Sequence, residues 1–166
     1  MKAAIIMGSQ SDYPVLERAE KIFSEFEVEY ETRILSAHRT PRAVEEFART
    51  AEEKGFEVIL AAAGKAAHLA GVIAANTLLP VIGIPVKSST LDGLDSLLST
   101  VQMPKGVPVA TVAIDGSENA ALLAIQMMGI KEPGLRRKIK EYKEQMEREI
   151  LATDAKFREK EQEVKR

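Results

Sequence analysis

Ala3-Ala4-Ile5-Ile6-Met7-Gly8-Ser9-Gln10-Ser11-Asp12 sets an apolar run directly against a polar turn near the start of the chain. A short apolar run bounded by turn residues reads as a buried strand. Ser11 or Asp12 can cap a helix after it, with Pro14 tolerated in the first turn. Val15, Ala19, Ile22, Phe23 and Phe26 then recur at helical spacing. The opening is thus strand, polar loop, helix.

The same unit repeats outward from there. A second strand is predicted over Val28–Leu35, ending in Ser36-Ala37-His38-Arg39-Thr40-Pro41. Thr40 followed by Pro41 is a helix start, and Ala43, Val44, Phe47, Ala48 and Ala51 give that helix an apolar face. A third strand, Glu57–Ala62, ends in Ala63-Gly64-Lys65-Ala66-Ala67-His68, and a helix of small residues runs from there to about Asn76. The fourth, Pro80–Ile84, runs into Pro85-Val86-Lys87-Ser88-Ser89. The fifth, Val107–Ala113, ends in Ile114-Asp115-Gly116-Ser117, where Ser117 can cap a helix over Glu118–Met128. That helix is apolar nearly all round and should be buried on every side.

Alternating strands and helices with near-continuously apolar strands imply a parallel sheet covered on both faces. Five such strands predict an α/β fold, a flavodoxin-like three-layer sandwich over residues 1–130. After Pro133-Gly134 the composition shifts, and residues 131–166 hold 21 charged residues of 36. Leu135, Ile139, Tyr142, Met146 and Ile150 fall on one stripe there. This predicts a C-terminal amphipathic helix, a charged extension of the same domain, fraying beyond about Thr153.

Composition removes several classes of function. The 166 residues include no Cys, so thiol nucleophiles, iron–sulfur clusters and thiolate zinc sites are excluded together. Only two His are present, which disfavours a zinc enzyme. Residues 1–130 carry 11 Lys+Arg against 16 Asp+Glu, and residues 131–166 carry 12 against 9. With aromatics at 5%, this is no basic, stacking surface for nucleic acid. No apolar run has the length of a membrane span or of a signal peptide, so the expected home is the cytoplasm.

In open parallel sheets, ligands bind beyond the carboxyl ends of the strands, near the switch in strand order. The polar loops fall at those ends. The first offers Ser9, Ser11 and Asp12; the second Ser36, His38 and Arg39; the third Gly64, Lys65 and His68. Both histidines of the chain belong to this set. Hydroxyls at helix starts beside an arginine suit a phosphate, although capping alone also explains Ser11, Asp12 and Thr40. A carboxylate repels phosphate, so Asp12 is better placed on ribose hydroxyls.

Other nucleotide and hydrolase motifs fail. Gly64-Lys65 resembles the end of a P-loop, but Ile59 stands where the first Gly belongs and Ala66 where Ser or Thr belongs. No GxGxxG follows the first strand, and no GxSxG elbow occurs.

Gly8-Ser9-Gln10-Ser11-Asp12, Ser36-Ala37-His38-Arg39-Thr40-Pro41, Ala66-Ala67-His68-Leu69 and Asp95-Ser96-Leu97-Leu98-Ser99-Thr100-Val101-Gln102-Met103-Pro104 together resemble the 5-(carboxyamino)imidazole ribonucleotide mutases, the class I PurE family of purine biosynthesis. The likeness spans about residues 2–130, in the same order. It implies a flavodoxin-like subunit, a homo-octamer and no metal or organic cofactor. It also implies transfer of a carboxylate from an exocyclic nitrogen to a ring carbon of an aminoimidazole ribonucleotide. By residue match, Ser9, Asp12 and Arg39 would bind the nucleotide, with Ser11 and Ser36 assisting at phosphate and ribose. His38 matches the histidine given the proton transfers, and His68 a second histidine at the pocket. The third loop departs from the family pattern: Lys65 replaces a Gly and Ala70 a Pro. Lys65 is expected to reach solvent.

Class II relatives, which carboxylate the free aminoimidazole with carbon dioxide, carry Lys-Gly-Pro in place of Arg39-Thr40-Pro41 and Ser-Asn near the second histidine. The residues present favour the mutase. A non-enzymatic nucleotide-binding module on the same fold is the other alternative. Loss of His38 or Arg39 would favour it, and both are present.

Overall fold

The computed structural model describes residues 1–89 and 91–165, without the side chain of Glu163. Strands β1 (Lys2–Met7), β2 (Glu29–Ile34), β3 (Val58–Gly64), β4 (Val81–Val86) and β5 (Ala110–Thr111) form one sheet in the order β2-β1-β3-β4-β5. Every pairing is parallel. Helices α1 (Tyr13–Glu25), α2 (Pro41–Thr50), α3 (Leu69–Ala74), α4 (Leu94–Val101) and α5 (Ser117–Met128) connect and cover it. The fold is the flavodoxin-like α/β sandwich that the sequence predicts.

Position in the sheet explains the strands. β4 is buried along its whole length, and β1 and β3 are buried except at one end. β2 lies at an edge, where Glu29, Glu31 and Arg33 keep it polar and resist pairing with another chain. Val44 and Phe47 of α2, with Leu69 and Ile73 of α3, pack on Ala4 and Ile6 of β1 and Ile59 and Ala61 of β3. Ile5 and Leu60 alternate to the opposite face, where α1 packs against α5.

Several local expectations change. β5 is two residues long rather than Val107–Ala113. Pro108 has no N–H for a ladder bond and cuts the run short. β4 continues through Pro85 to Val86, because Pro85 lies beyond the last residue that pairs with β5. Ser9, not Ser11 or Asp12, makes the cap. It accepts from the Ser11 N–H, while the Asp12 carboxylate accepts from the Ser9 N–H, closing a capping box around a 3-10 turn ahead of α1. Ser117 lies inside α5, and its hydroxyl donates to the Val15 carbonyl of α1 instead of capping. α5 is not buried on every side: Glu118, Asn119 and Gln126 are exposed, and Leu122, Leu123 and Met127 are half-buried.

Helix α4 has its polarity reversed. Ser96 and Thr100 are its buried residues, whereas Leu94, Leu98 and Val101 are 47%, 47% and 46% exposed. The buried hydroxyls are satisfied locally. Ser96 donates to the Val86 and Gly93 carbonyls, and Thr100 to the Ser96 carbonyl.

Residues 129–166 form a separate compact unit. It consists of one helix, α6 (Pro133–Val164), which continues well past Thr153, where the stripe weakens in sequence. Met146 and Ile150 of the stripe are exposed.

Candidate functional site

The strand order reverses between β1 and β3, so the loops that follow them splay apart at the carboxyl edge. A cleft of about 550 Å³ opens there. Ser9, Ser11, Asp12, Ser36, His38, Arg39, Gly64, Lys65 and His68 all line it. The loops of three adjacent strands, β2, β1 and β3, therefore bring together every candidate residue read from the sequence.

Each loop holds its side chains by local bonds. In the first, the Ser11 hydroxyl donates to Ser9 Oγ at 2.9 Å, and both face the cleft. In the second, Thr40 Oγ1 accepts from the Ser36 N–H at 2.9 Å and donates to the Ser36 carbonyl at 3.1 Å, locking the turn that carries Ala37 and His38. Thr40 spends its hydroxyl on that turn and gives α2 no side-chain cap. The Arg39 guanidinium reaches across to the Gly8 carbonyl at 2.6 Å and to Ser36 Oγ at 3.3 Å. This ties the second loop to the first. In the third, His68 follows β3, and its Nδ1 stands 2.9 Å from His38 Nε2.

Asp12 is only 8% exposed. Burial raises its carboxyl above the ordinary 3.8, against the lowering effects of the Ser9 N–H, the Ser11 hydroxyl and the Arg39 charge. A carboxyl raised on folding adds stability that is full below its unfolded-state pKa and is lost as pH rises through the folded value. The ionised form is therefore the unfavourable one for the fold. Asp12→Asn keeps an oxygen for the Ser9 N–H and removes the buried charge. It should melt higher than the parent at neutral pH, with the gain closing as pH falls from the raised folded value to the ordinary 3.8. Thermal melts across pH check this; an equal gain at every pH contradicts it.

Lys65 is exposed and also lines the cleft. Its backbone is left-handed, with φ 55°. Glycine takes that conformation freely, whereas a residue with a Cβ pays about 1–2 kcal/mol. Part of that cost is offset by the entropy a glycine loses on folding. Lys65→Gly should therefore raise stability by up to ~1 kcal/mol, a melting increase of about 2–4 °C. Lys65→Met retains the strain and should not melt higher. Substrate affinity should stay within a few-fold in both variants.

Lys87, Ser88 and Ser89, which are not among the candidates from the sequence, also line the cleft from the end of β4. Their signal was the same as for the other loops, polar residues after a buried strand. Lys87 is held by a 3.2 Å ion pair with Asp92, and its N–H donates to Asp115 Oδ1 at 2.8 Å. Ser88 donates to the Asp95 carboxylate. Ala70 is buried in the first turn of α3. Among the described residues, no three His, Asp or Glu side chains converge as metal ligands. No helix among them is long and apolar enough to cross a membrane.

The arrangement offers a cationic fork and hydroxyls for an anion, a carboxylate for sugar hydroxyls, and two imidazoles beside small residues. The chain is 60% identical over 147 residues to a Pyrococcus abyssi protein named N5-carboxyaminoimidazole ribonucleotide mutase, covering 89% of this chain and 84% of that one. It is 60% identical over 150 residues to the Thermotoga maritima protein of the same name, covering 90% and 88%. The crystal structure of Treponema denticola PurE superposes with a TM-score of 0.84 at 28% identity, covering 93% of this chain and 97% of that one. The sequence pattern of the AIR carboxylase family matches residues 2–149, and the chain belongs to that family.

Proposed function

We propose that this chain is an N5-carboxyaminoimidazole ribonucleotide mutase, an isomerase of purine biosynthesis. The observation that carries the site reading is the second loop: His38 and Arg39 leave β2 side by side and enter one cleft, with Arg39 tied to the Gly8 backbone. Arg39 takes the phosphate, Asp12 the ribose hydroxyls, and Ser9, Ser11 and Ser36 complete the nucleotide contacts. His38 protonates the carbamate nitrogen, and carbon dioxide leaves. The aminoimidazole carbon then attacks the retained carbon dioxide, and His38 removes the proton from that carbon. One imidazole serves as acid and then base because its ordinary pKa lies near neutrality. The small residues Ala63, Gly64 and Ala66 confine the fragments, so recapture outcompetes escape.

The reaction is proton transfer and confinement, which supports a cofactor-independent enzyme. The partly exposed apolar faces of α4 and α5 support a homo-oligomer, and the family resemblance supports an octamer. Light scattering at micromolar concentration should show an assembly far above the 18.2 kDa chain. Residues 131–166 form an extension of the catalytic domain, since a single helix has no second element on which to build a core. A cytoplasmic location fits the pathway.

The test is purified protein with the carboxyamino substrate, following the ring-carboxylated product with and without added bicarbonate. Conversion independent of bicarbonate is expected. Conversion of the uncarboxylated aminoimidazole alone, dependent on bicarbonate, would favour the direct carboxylase. Arg39→Lys keeps the charge and loses the fork. It should weaken binding of the nucleotide much more than binding of its dephosphorylated analogue, as read by calorimetry. Equal losses for the two ligands contradict the phosphate role.

A further inference from the structure

His38 and His68 lie 30 residues apart in sequence, yet His38 Nε2 stands 2.9 Å from His68 Nδ1. The rings meet edge to face, with centroids 5.0 Å apart and planes at 79°. At that separation one proton sits between the two nitrogens. Two bare lone pairs, or two N–H groups, would repel each other. The bridging proton belongs to one ring, and its ownership decides what His38 can do.

Suppose it belongs to His68. His38 Nε2 then accepts, and neutral His38 carries its own proton on Nδ1. Giving that proton away would leave an imidazolate unless a second transfer occurred in the same step. Suppose instead that it belongs to His38. Nε2–H then donates to His68 Nδ1, and His38 Nδ1 is the nitrogen outside the pair. The protonated ring has an acidic N–H there, and the neutral ring has a bare lone pair at the same atom.

We infer that His68 is a positioning residue for the proposed reaction, holding His38 in this second form so that Nδ1 alone exchanges protons with substrate. The inference rests on the acid–base reading of His38 given above. The Nδ1 proton passes to the carbamate nitrogen as the N–C bond breaks. Later the proton on the ring carbon passes to Nδ1, and its bonding pair returns to the ring. One atom gives and receives, so the cycle closes without exchange with water. His68 keeps its own proton on Nε2 and changes protonation state at no step.

Two measurements test this. Nitrogen-15 NMR of labelled protein should find neutral His38 protonated at Nε2, and His68 likewise. A neutral His38 protonated at Nδ1 overturns the inference. His68→Leu removes the acceptor, whereas the amide oxygen of His68→Asn can sit where Nδ1 sits. Loss of a tautomer-fixing partner should lower kcat roughly tenfold or more in His68→Leu at near-constant KM, with most of the rate restored in His68→Asn. Unchanged kcat in His68→Leu, or equal losses in the two variants, overturns the inference. Failure of the parent protein to convert substrate strikes the mutase reading instead, and the NMR result still decides the pairing.

Discussion

Replacing His38 by Asn is expected to slow turnover by ~10³-fold while leaving nucleotide affinity within a few-fold. The asymmetry follows from where the ring sits. The proposed phosphate and ribose contacts fall to Arg39, Asp12 and the loop serines, which are held by bonds that do not involve the imidazole. The turn carrying His38 is locked by Thr40 and the Ser36 backbone, so the loop keeps its shape in the variant. Asn can hydrogen-bond but cannot carry a proton near neutral pH. Both the protonation that releases carbon dioxide and the deprotonation that restores aromaticity would then fall to water. Single-turnover kinetics should show the loss in the chemical step. Near-normal turnover in this variant would falsify the assignment.

The second large effect concerns the core. Gly83, in the middle of β4, lies directly under α4. A Cβ there would stand 2.3 Å from Thr100 Cγ2, 3.0 Å from Val109 Cγ1 and 3.4 Å from the Ala70 side chain. Thr100 is buried and its hydroxyl is committed to the Ser96 carbonyl, so it cannot simply rotate away. Gly83→Ala must push α4 off the sheet or strain its rotamers, at a cost of about 3 kcal/mol. For a chain of this size that lowers the melting temperature by roughly 6–12 °C. Adding Thr100→Ser deletes the colliding methyl and keeps the hydroxyl, so the double variant should recover much of the loss. A Gly83→Ala protein that melts with the parent would contradict the close approach.

The sequence was most legible where burial is simple. β1 and β3 are continuous apolar runs that end in polar loops, and both their identity and their functional ends follow from that pattern. The cleft was legible for the same reason, since its loops announce themselves by histidine, arginine or hydroxyls after a strand. β5 was obscured by Pro108, which interrupts an apolar run at a residue with no N–H for the ladder. α4 was obscured by chemistry rather than length. Leu94 and Leu98 are exposed, and Ser96 and Thr100 face the core, where α4 lies so close over Gly83 that only small side chains fit. The strain at Lys65 was invisible, because φ is set by the loop that closes around it and not by the lysine.

The reversed helix has a consequence for how the protein responds to dilution. The exposed part of Leu94, Leu98 and Val101 contributes nothing to the fold of one chain, but contributes once another surface covers it. In such an assembly part of the folding free energy is supplied by mass action, so the melting temperature rises with protein concentration. Dilution would then loosen α4 first. Because α4 packs on β4, whose end carries Lys87, Ser88 and Ser89, activity should fade with dilution before the sheet itself melts.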